Sequence, residues 1–413
     1  MPKFIADFHI HSRYSRATSK DLTVDELARW AKIKGVGVLG TGDCTHPLWL
    51  EELKDGLRES GTGLYEAKNG TQFLLTSEVN TLFYKGGKAH QIHHILFAPS
   101  FESVERINRE LTSFGDLSLD GRPMLKMEAW RLVEVVLGIE PRCLIVPAHA
   151  WTPHFALFGS NTGFDSVEEC FEHQTKNIFA IETGLSSDPA MNWRLSALDR
   201  YTLISNSDCH SGRRIGREAN VFDCELSYDA IAQTLRTKDR TKLLSTIEFF
   251  PEEGKYHYDG HRNCHIRLSP SETKRQNFCC PTCGRKVTVG VMHRVEMLAD
   301  RPEGSVPERT IPFQRLIPLE EIIADVLGVG VGTQAVGREY NNLISHGLTE
   351  FNVLLSLSEE ELRKVTSAKI AEGIVRVREG RVSVEPGYDG EYGTVHIFGE
   401  ELAQTSEQQM SLF

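Results

Sequence analysis

The sequence predicts an α/β protein: a parallel sheet or barrel that carries a metal-dependent site, followed by a small metal-binding insert and a helical C-terminal region. Three observations lead there. Up to about Phe250 short apolar runs alternate with amphipathic segments, metal-ligating side chains fall at or just past the ends of those runs, and from about Pro251 the rhythm gives way to paired His and Cys residues. Alternating short buried strands and helices are the pattern of a parallel sheet, and the C-terminal rim of its strands is where sites assemble.

Phe4 to Ile10 reads as the first strand and Val24 to Lys34 as an amphipathic helix. Val36 to Thr41, Phe73 to Val79, His93 to Phe97, Leu144 to Pro147, Ile178 to Thr183 and Leu203 to Ser205 read as short apolar strands. Extended chain alternates faces, so His9 and His11 project to one side and can share one metal. Asp43, Glu78, His149, Glu182, Asp208 and His210 follow at strand ends, and Asp208-Cys209-His210 repeats the two-apart spacing.

At 413 residues two or three domains are expected. Nine cysteines, an odd number, do not read as a disulfide framework; metal-binding thiols in a reducing cytoplasm fit better. No apolar run reaches bilayer-spanning length, and the N-terminus passes at once into the His-x-His strand, so no membrane segment or signal peptide is expected. The net charge of −11 argues against an extensive nucleic-acid footprint, yet Arg213-Arg214-Ile215-Gly216-Arg217 and the stretch from Arg262 to Arg294 are locally basic. Local field governs phosphate binding.

Phosphate ester hydrolysis needs a nucleophile at neutral pH and cations to neutralise phosphoryl charge, and clustered divalent metals supply both. Several metals need about ten mixed imidazole and carboxylate ligands, one carboxylate bridging. The sequence offers His9, His11, Asp43, Glu78, His93 or His94, His149, Asp208 and His210, and spacing to the following apolar run favours His93 over His94. Asp7 is expected to orient His9 or His11, and Glu182 either to ligate weakly or to hydrogen-bond at the rim.

This order of ligands over the first 225 residues resembles the polymerase and histidinol phosphatase (PHP) superfamily. The resemblance implies a distorted (β/α)7 barrel with a trinuclear centre. His9, His11, Glu78 and Asp208 would hold one metal, Glu78 would bridge to a second with His93 and His149, and Asp43 and His210 would serve a third. Two departures touch the third metal: Gly42-Asp43-Cys44 replaces the usual Asp-His, and Arg16 stands where many relatives place a ligand.

Downstream, His261-x-x-Cys264 and Cys280-x-x-Cys283 make a closed tetrahedral zinc site, with His257, His265 and Cys279 as rivals for the fourth place. Between amphipathic segments, Gly328 and Gly330 in Leu327-Gly328-Val329-Gly330-Val331-Gly332-Thr333 read either as a helix-hairpin-helix turn that binds a DNA phosphate or as an ordinary helix cap.

PHP-like barrel, zinc insert and Gly-turn helical module together resemble the endonuclease Q family, as do the strings Gly40-Thr41-Gly42-Asp43-Cys44-Thr45-His46-Pro47, Glu182-Thr183-Gly184-Leu185-Ser186-Ser187-Asp188 and Cys280-Pro281-Thr282-Cys283-Gly284. That resemblance implies a metal-dependent endonuclease (Zn, Mn or Mg, with a structural Zn) that nicks DNA 5′ of uracil, hypoxanthine or xanthine and at abasic sites. Trp151, His154, Phe155 and Phe158, with Asn192 and Asn206, are candidates to line a pocket for an extruded base, and Arg213, Arg214 and Arg217 to grip the backbone. A PHP-type phosphatase acting on a monoester such as histidinol phosphate is the alternative, and it leaves the insert and helices idle.

The expected units are residues 1–250 (catalytic), 251–300 (zinc), 315–385 (helical, DNA-binding) and 386–413 (flexible tail). The terminal Gln409-Met410-Ser411-Leu412-Phe413 resembles the Gln-Leu-Ser-Leu-Phe peptide with which bacterial replication proteins dock on the sliding clamp, the β subunit. Damaged DNA and that clamp are the expected partners of a monomeric, nucleoid-associated cytoplasmic protein.

Overall fold

A computed structural model describes residues 3–345 and 348–398. Its main sheet runs Phe313–Arg315, Leu243–Glu248, Ala219–Phe222, Phe4–Asp7, Val38–Gly40, Gln72–Lys85, continuing through Lys88–Ala98 to Leu144–Pro147. Ala180–Glu182 and Thr202–Ile204 form a parallel pair. That pair is tied at one side to the turn after Leu144–Pro147 and at the other to strand Leu243–Glu248: Ala150 N–H donates to Glu182 O, while the Ser205 hydroxyl donates to Ile247 O at 2.9 Å.

Each strand sends neighbouring residues to opposite faces, and both faces are buried, which is why the runs are apolar without alternation. Ala6, Phe8, Val38, Leu74, Ile95, Val146, Ala180, Ile204 and Phe222 pack into one inner cluster. Leu39, Leu75, Leu96, Ile145, Ile181 and Ile247 face the other way, against helices such as Val24–Lys34 and Ala129–Ile139. The Val24–Lys34 helix has the expected bounds because Thr23 caps its start and Gly35, at φ +87°, ends it.

The sheet is mixed rather than parallel. Phe73 to Val79 and His93 to Phe97 are parts of two long strands, Gln72–Lys85 and Lys88–Ala98, paired antiparallel with Asn80 opposite His93. Gly86 and Gly87, at φ +58° and +77°, join them in a two-residue turn, and such a turn returns the chain antiparallel. Ala219–Phe222 is likewise antiparallel to Phe4–Asp7.

Beyond Pro251 a small hairpin, Asp259–His261 with Ile266–Leu268, is followed by helices Pro270–Arg275 and Val291–Leu298. Of the helices that follow, Leu319–Leu327 packs against Gln334–Ser345 and Ala368–Arg378, and Glu359–Val365 packs against Ala368–Arg378. Lys34 Nζ meets Glu350 Oε2 at 2.6 Å, and both side chains are buried. Residues 386–398, expected as flexible tail, are part of the fold: Thr394–His396 pairs with Ser383–Glu385, and Gly387 N–H donates to Glu252 O. Among the described residues no helix is long and apolar enough to cross a membrane.

Candidate metal centre

Past Asp7 the chain stays extended, with Phe8 N–H held by Asn206 Oδ1 at 2.8 Å and His11 N–H by Cys209 O at 3.1 Å. His9 and His11 therefore emerge on one side, both buried. Asp43, His149 and Asp208, each just beyond a strand, have φ of +47°, +30° and +46°. Left-handed backbone at a non-glycine residue costs about 1–3 kcal/mol and persists only where its surroundings over-determine it. Gly184 illustrates how: it has φ +64°, and a Cβ on it would lie 2.4 Å from the Cβ of His149.

Two ligand groups share one carboxylate. In the first, His9, His11, Glu78 and Asp208 each offer an atom within 4.8 Å of the others; in the second, Glu78 does the same with His93 and His149. His11 Nε2 lies 3.0 Å from Asp208 Oδ1 and 3.4 Å from Glu78 Oε2. Glu78 Oε1 lies 2.7 Å from His93 Nδ1 and 3.1 Å from His149 Nε2. His9 Nε2 is buried without a hydrogen-bond partner, 3.5 Å from Glu78 and 3.7 Å from Asp208. An orphaned imidazole nitrogen ringed by carboxylates is the donor set that a divalent cation satisfies, at about 2.0–2.2 Å to each ligand.

The far sides of the rings are fixed. Glu182 accepts from His9 Nδ1 at 3.1 and 3.0 Å, from His149 N–H at 2.7 Å and from Asn206 Nδ2 at 2.9 Å. Asp43 accepts from His11 Nδ1 at 2.9 Å and, through its other oxygen, from Ser12 N–H, Ser12 Oγ and Ser15 Oγ. His149 Nδ1 lies 3.0 Å from Thr152 Oγ1. Such partners set the tautomer that leaves Nε2 free for a cation. The role expected of Asp7 thus falls to Glu182 and Asp43, because Asp7 is spent on the N–H groups of Ser207 and Gly216.

Burial works against charge on every group here, yet mutual attraction prevails for most of them. The carboxylates of Glu182, Glu78 and Asp208 hold the His9 imidazole well above its ordinary range, and Asp43 and Asp208 do the same for His11. The surrounding imidazoles hold Glu78 and Asp208 well below theirs. For His93 burial wins and brings it down to about 4, which keeps the ring neutral, with one nitrogen unprotonated.

His93, not His94, faces the group; His94 Nε2 lies 2.9 Å from Thr81 Oγ1 on the opposite side. Asp43 stands behind His11 rather than in either group. His210 also lies outside both, its ring 4.6 Å from that of His11 and its Nδ1 donating to Asp208 O. A third group, His261, Cys264, Cys280 and Cys283, closes around the insert hairpin, with His261 Nδ1 3.5 Å from Cys283 Sγ. None of the rivals His257, His265 or Cys279 joins it. Backbone N–H groups of Cys283 and Thr282 outweigh desolvation and bring the Cys280 thiol down to about 6, in the range where a thiolate can ligate.

The profile of the MJ0043 C-terminal domain matches residues 318–381. YqxK of Bacillus subtilis (strain 168) is 30% identical over 417 residues, covering 96% of this chain and 100% of its own. The crystal structure of the lesion-specific endonuclease PfuEndoQ from Pyrococcus furiosus superposes with a TM-score of 0.87 at 31% identity, covering 100% of both chains. The chain belongs to the endonuclease Q family. Family membership makes it an enzyme of the hydrolase class. A second endonuclease Q structure, in complex with a 27-mer duplex carrying an abasic lesion at the active site, superposes with a TM-score of 0.84 at 31% identity over 97% of this chain and 98% of that one.

Several residues expected to touch substrate lie elsewhere in this chain. Trp151 and Phe158 are buried against each other, and Trp151 Nε1 donates to the buried Asn192. Asn206 is consumed by Glu182 and Phe8. His154 and Phe155 do line a groove of about 830 Å³ beside His93, His149 and Asp208, where Tyr256 and Arg122 join them unforeseen. Arg213 and Arg214 pair with Glu320 and Glu321 at the start of helix Leu319–Leu327, and Arg217 Nε donates to Ser207 O; they tie the helical region to the loop after Asp208. Gly328, at φ +65°, is that helix's cap, while Gly330 lies in the open segment before the next helix. Gln409, Met410, Leu412 and Phe413 lie outside the described residues.

Proposed function

We propose that this chain is a DNA repair endonuclease that hydrolyses the phosphodiester bond 5′ of deaminated bases (uracil, hypoxanthine and xanthine) and at abasic sites. The observation that carries the reading is its end-to-end likeness, TM-score 0.87, to a lesion-specific endonuclease. Residues 1–250 are the catalytic unit, a PHP-type distorted (β/α)7 barrel, and the Ser205 bond to Ile247 O supports closure of its sheet. Residues 251–300 form the zinc-binding unit and 315–385 the helix-hairpin-helix-like DNA-binding unit, with Gly328 and Gly330 in its first turn.

His9, His11, Glu78 and Asp208 would hold one divalent cation, and Glu78, His93 and His149 a second, as Zn, Mn or Mg. Bound there, the cations supply a nucleophile at neutral pH and neutralise phosphoryl charge. Asp43 and Glu182 keep the His11 and His9 rings in register, and Phe155, stacked on His93 with centroids 5.2 Å apart and half exposed to the groove, offers a face to an extruded base. His261, Cys264, Cys280 and Cys283 hold a structural Zn, a closed site that orders its loops and does no chemistry. Gln409, Met410, Leu412 and Phe413 dock the monomer on the bacterial sliding clamp, which deletion of the terminal peptide would abolish in a calorimetric titration.

The test is strand cleavage. Duplexes carrying one uracil, hypoxanthine, xanthine or abasic site should be nicked 5′ of the lesion. Release of phosphate from histidinol phosphate with no nick would instead place the chain among PHP-type phosphatases.

A further inference from the structure

Arg122 reaches the metal centre from a segment that sequence motifs do not mark. Its Nη1 donates to Glu78 Oε2 at 3.1 Å, on the carboxylate that both ligand groups share. The side chain is about three-quarters buried and lines the groove with His93, His149 and Asp208. An arginine carries five N–H donors, and among the described residues this guanidinium spends only one of its nitrogens on the protein. The residue itself lines the groove, so the remaining donors are available there.

The segment is anchored on both sides. Asn80 N–H donates to Pro123 O at 3.0 Å, and Met124–Leu125 pairs in parallel with Asn80 and Thr81, two residues beyond Glu78. On the other side Gly121 N–H donates to Tyr14 O at 3.1 Å, and Asp120 accepts from Arg122 N–H and pairs with Arg16. Gly121 sits so close to Asp43 that a Cβ on it would lie 2.3 Å from Asp43 Oδ2 and from Ser15 Oγ. The corner around Asp43 is thus filled by protein, its oxygens all bonded, and the next residue brings a fixed positive charge to the carboxylate that both ligand groups share.

We propose that Arg122 is a catalytic residue that donates to a non-bridging oxygen of the scissile phosphate and stabilises the charge that develops there in the transition state. The role rests on the endonuclease reading above. As water oxygen bonds to phosphorus and the bond to the leaving sugar oxygen breaks, the proton lost by water is matched by one gained by the leaving oxygen. Arg122 exchanges no proton, since a guanidinium stays protonated throughout, and a donor aimed in advance at developing charge needs no reorganisation.

The test compares the parent with Arg122→Ala and Arg122→Lys on an abasic-site duplex in single turnover, alongside metal content per chain, melting, and duplex affinity with chelator present. Arg122→Ala should keep the parental metal content and melting, nick on the order of 100- to 1000-fold more slowly, and regain part of the rate with guanidinium ion at sub-denaturing concentration. Arg122→Lys should fall between. Chelated Arg122→Ala should bind the duplex roughly tenfold more weakly, the loss of one charge-assisted hydrogen bond. Parental nicking or parental chelated affinity in Arg122→Ala overturns the role. Loss of metal without guanidinium rescue also overturns it, by reducing Arg122 to a support for Glu78. A parent that nicks no lesion duplex defeats the endonuclease reading itself, which separates the two failures.

Discussion

Glu182→Gln isolates the most connected side chain behind the metal centre without changing its shape. The Glu182 carboxylate collects four contacts from N–H donors: two with His9 Nδ1 at 3.1 and 3.0 Å, one from His149 N–H at 2.7 Å and one from Asn206 Nδ2 at 2.9 Å. Every partner is a donor, so either orientation of the glutamine amide turns its NH2 against N–H groups, and flipping offers no escape. At least one charge-assisted bond is lost, worth about 1.5–3 kcal/mol, and the rest weaken to neutral ones. Loss of an orienting partner behind a ligating histidine typically costs about 10- to 100-fold in metal affinity, or about 1.4–2.8 kcal/mol at 1.4 kcal/mol per factor of ten, and the two routes agree. Because Glu182 holds both His9 and the backbone of His149, both ligand groups should weaken. Competition with a chromophoric chelator reads this directly. A folded Glu182→Gln protein with parental metal affinity would refute the reasoning that Glu182 sets the ring positions.

Three further outcomes are expected. Cys280→Ser should lower bound metal by one per chain and destabilise the protein while sparing the nicking step, because a closed four-ligand group has no open position; metal analysis, melting curves and single-turnover rates check it. Glu350→Ala should destabilise the helical region by about 3–5 kcal/mol, since it strands the buried Lys34 ammonium and removes the acceptor of Tyr340 OH and Leu319 N–H; denaturant titration measures the cost. Burial, with Asp188 nearby, pushes Glu248 from an ordinary 4.5 up to about 8, so the folded protein keeps a proton that the unfolded chain releases. Its contribution to stability is full below about pH 4.5 and is lost as pH rises through about 8, and Glu248→Gln should remove that part of the decline in melting curves against pH.

Much of this centre was legible because it depends on local pattern. His9 and His11 share a side for the reason any extended chain alternates, and His149 and Asp208 could be placed at the rim from the apolar runs before them, whereas Glu78, expected at a strand end, lies inside the long strand Gln72–Lys85, opposite Ile95. Strand Leu144–Pro147 and helix Val24–Lys34 were readable to the residue from their apolar run and amphipathic pattern, and Thr23 and Gly35 cap the helix at those bounds. What resisted reading depends on partners far away in sequence. Arg213 looks like a free phosphate ligand until Glu320, 107 residues on, claims it, and Trp151 looks like a pocket wall until Asn192 and Phe158 enclose it. Asp43 has the residue type and spacing of a ligand, but Ser12, Ser15 and Gly121 close around it and leave it a support for His11. The antiparallel pairing of Gln72–Lys85 and Lys88–Ala98 did have a local signal in Gly86-Gly87, and a two-residue glycine turn there decides the direction of the return strand.

Asp208→Asn tests the central claim most directly, because it keeps the side chain's shape while removing the charge that faces His9 and His11 at the first ligand group. The measurement is single-turnover cleavage of a duplex with one abasic site or one uracil, by metal-loaded parent, chelated parent and Asp208→Asn, with the cut mapped to the nucleotide. The account predicts one nick 5′ of the lesion by the loaded parent, and none by the chelated protein or by the variant, which keeps its fold. Cleavage at the parental rate by chelated protein or by Asp208→Asn, or no lesion-directed nick by the loaded parent, would contradict it.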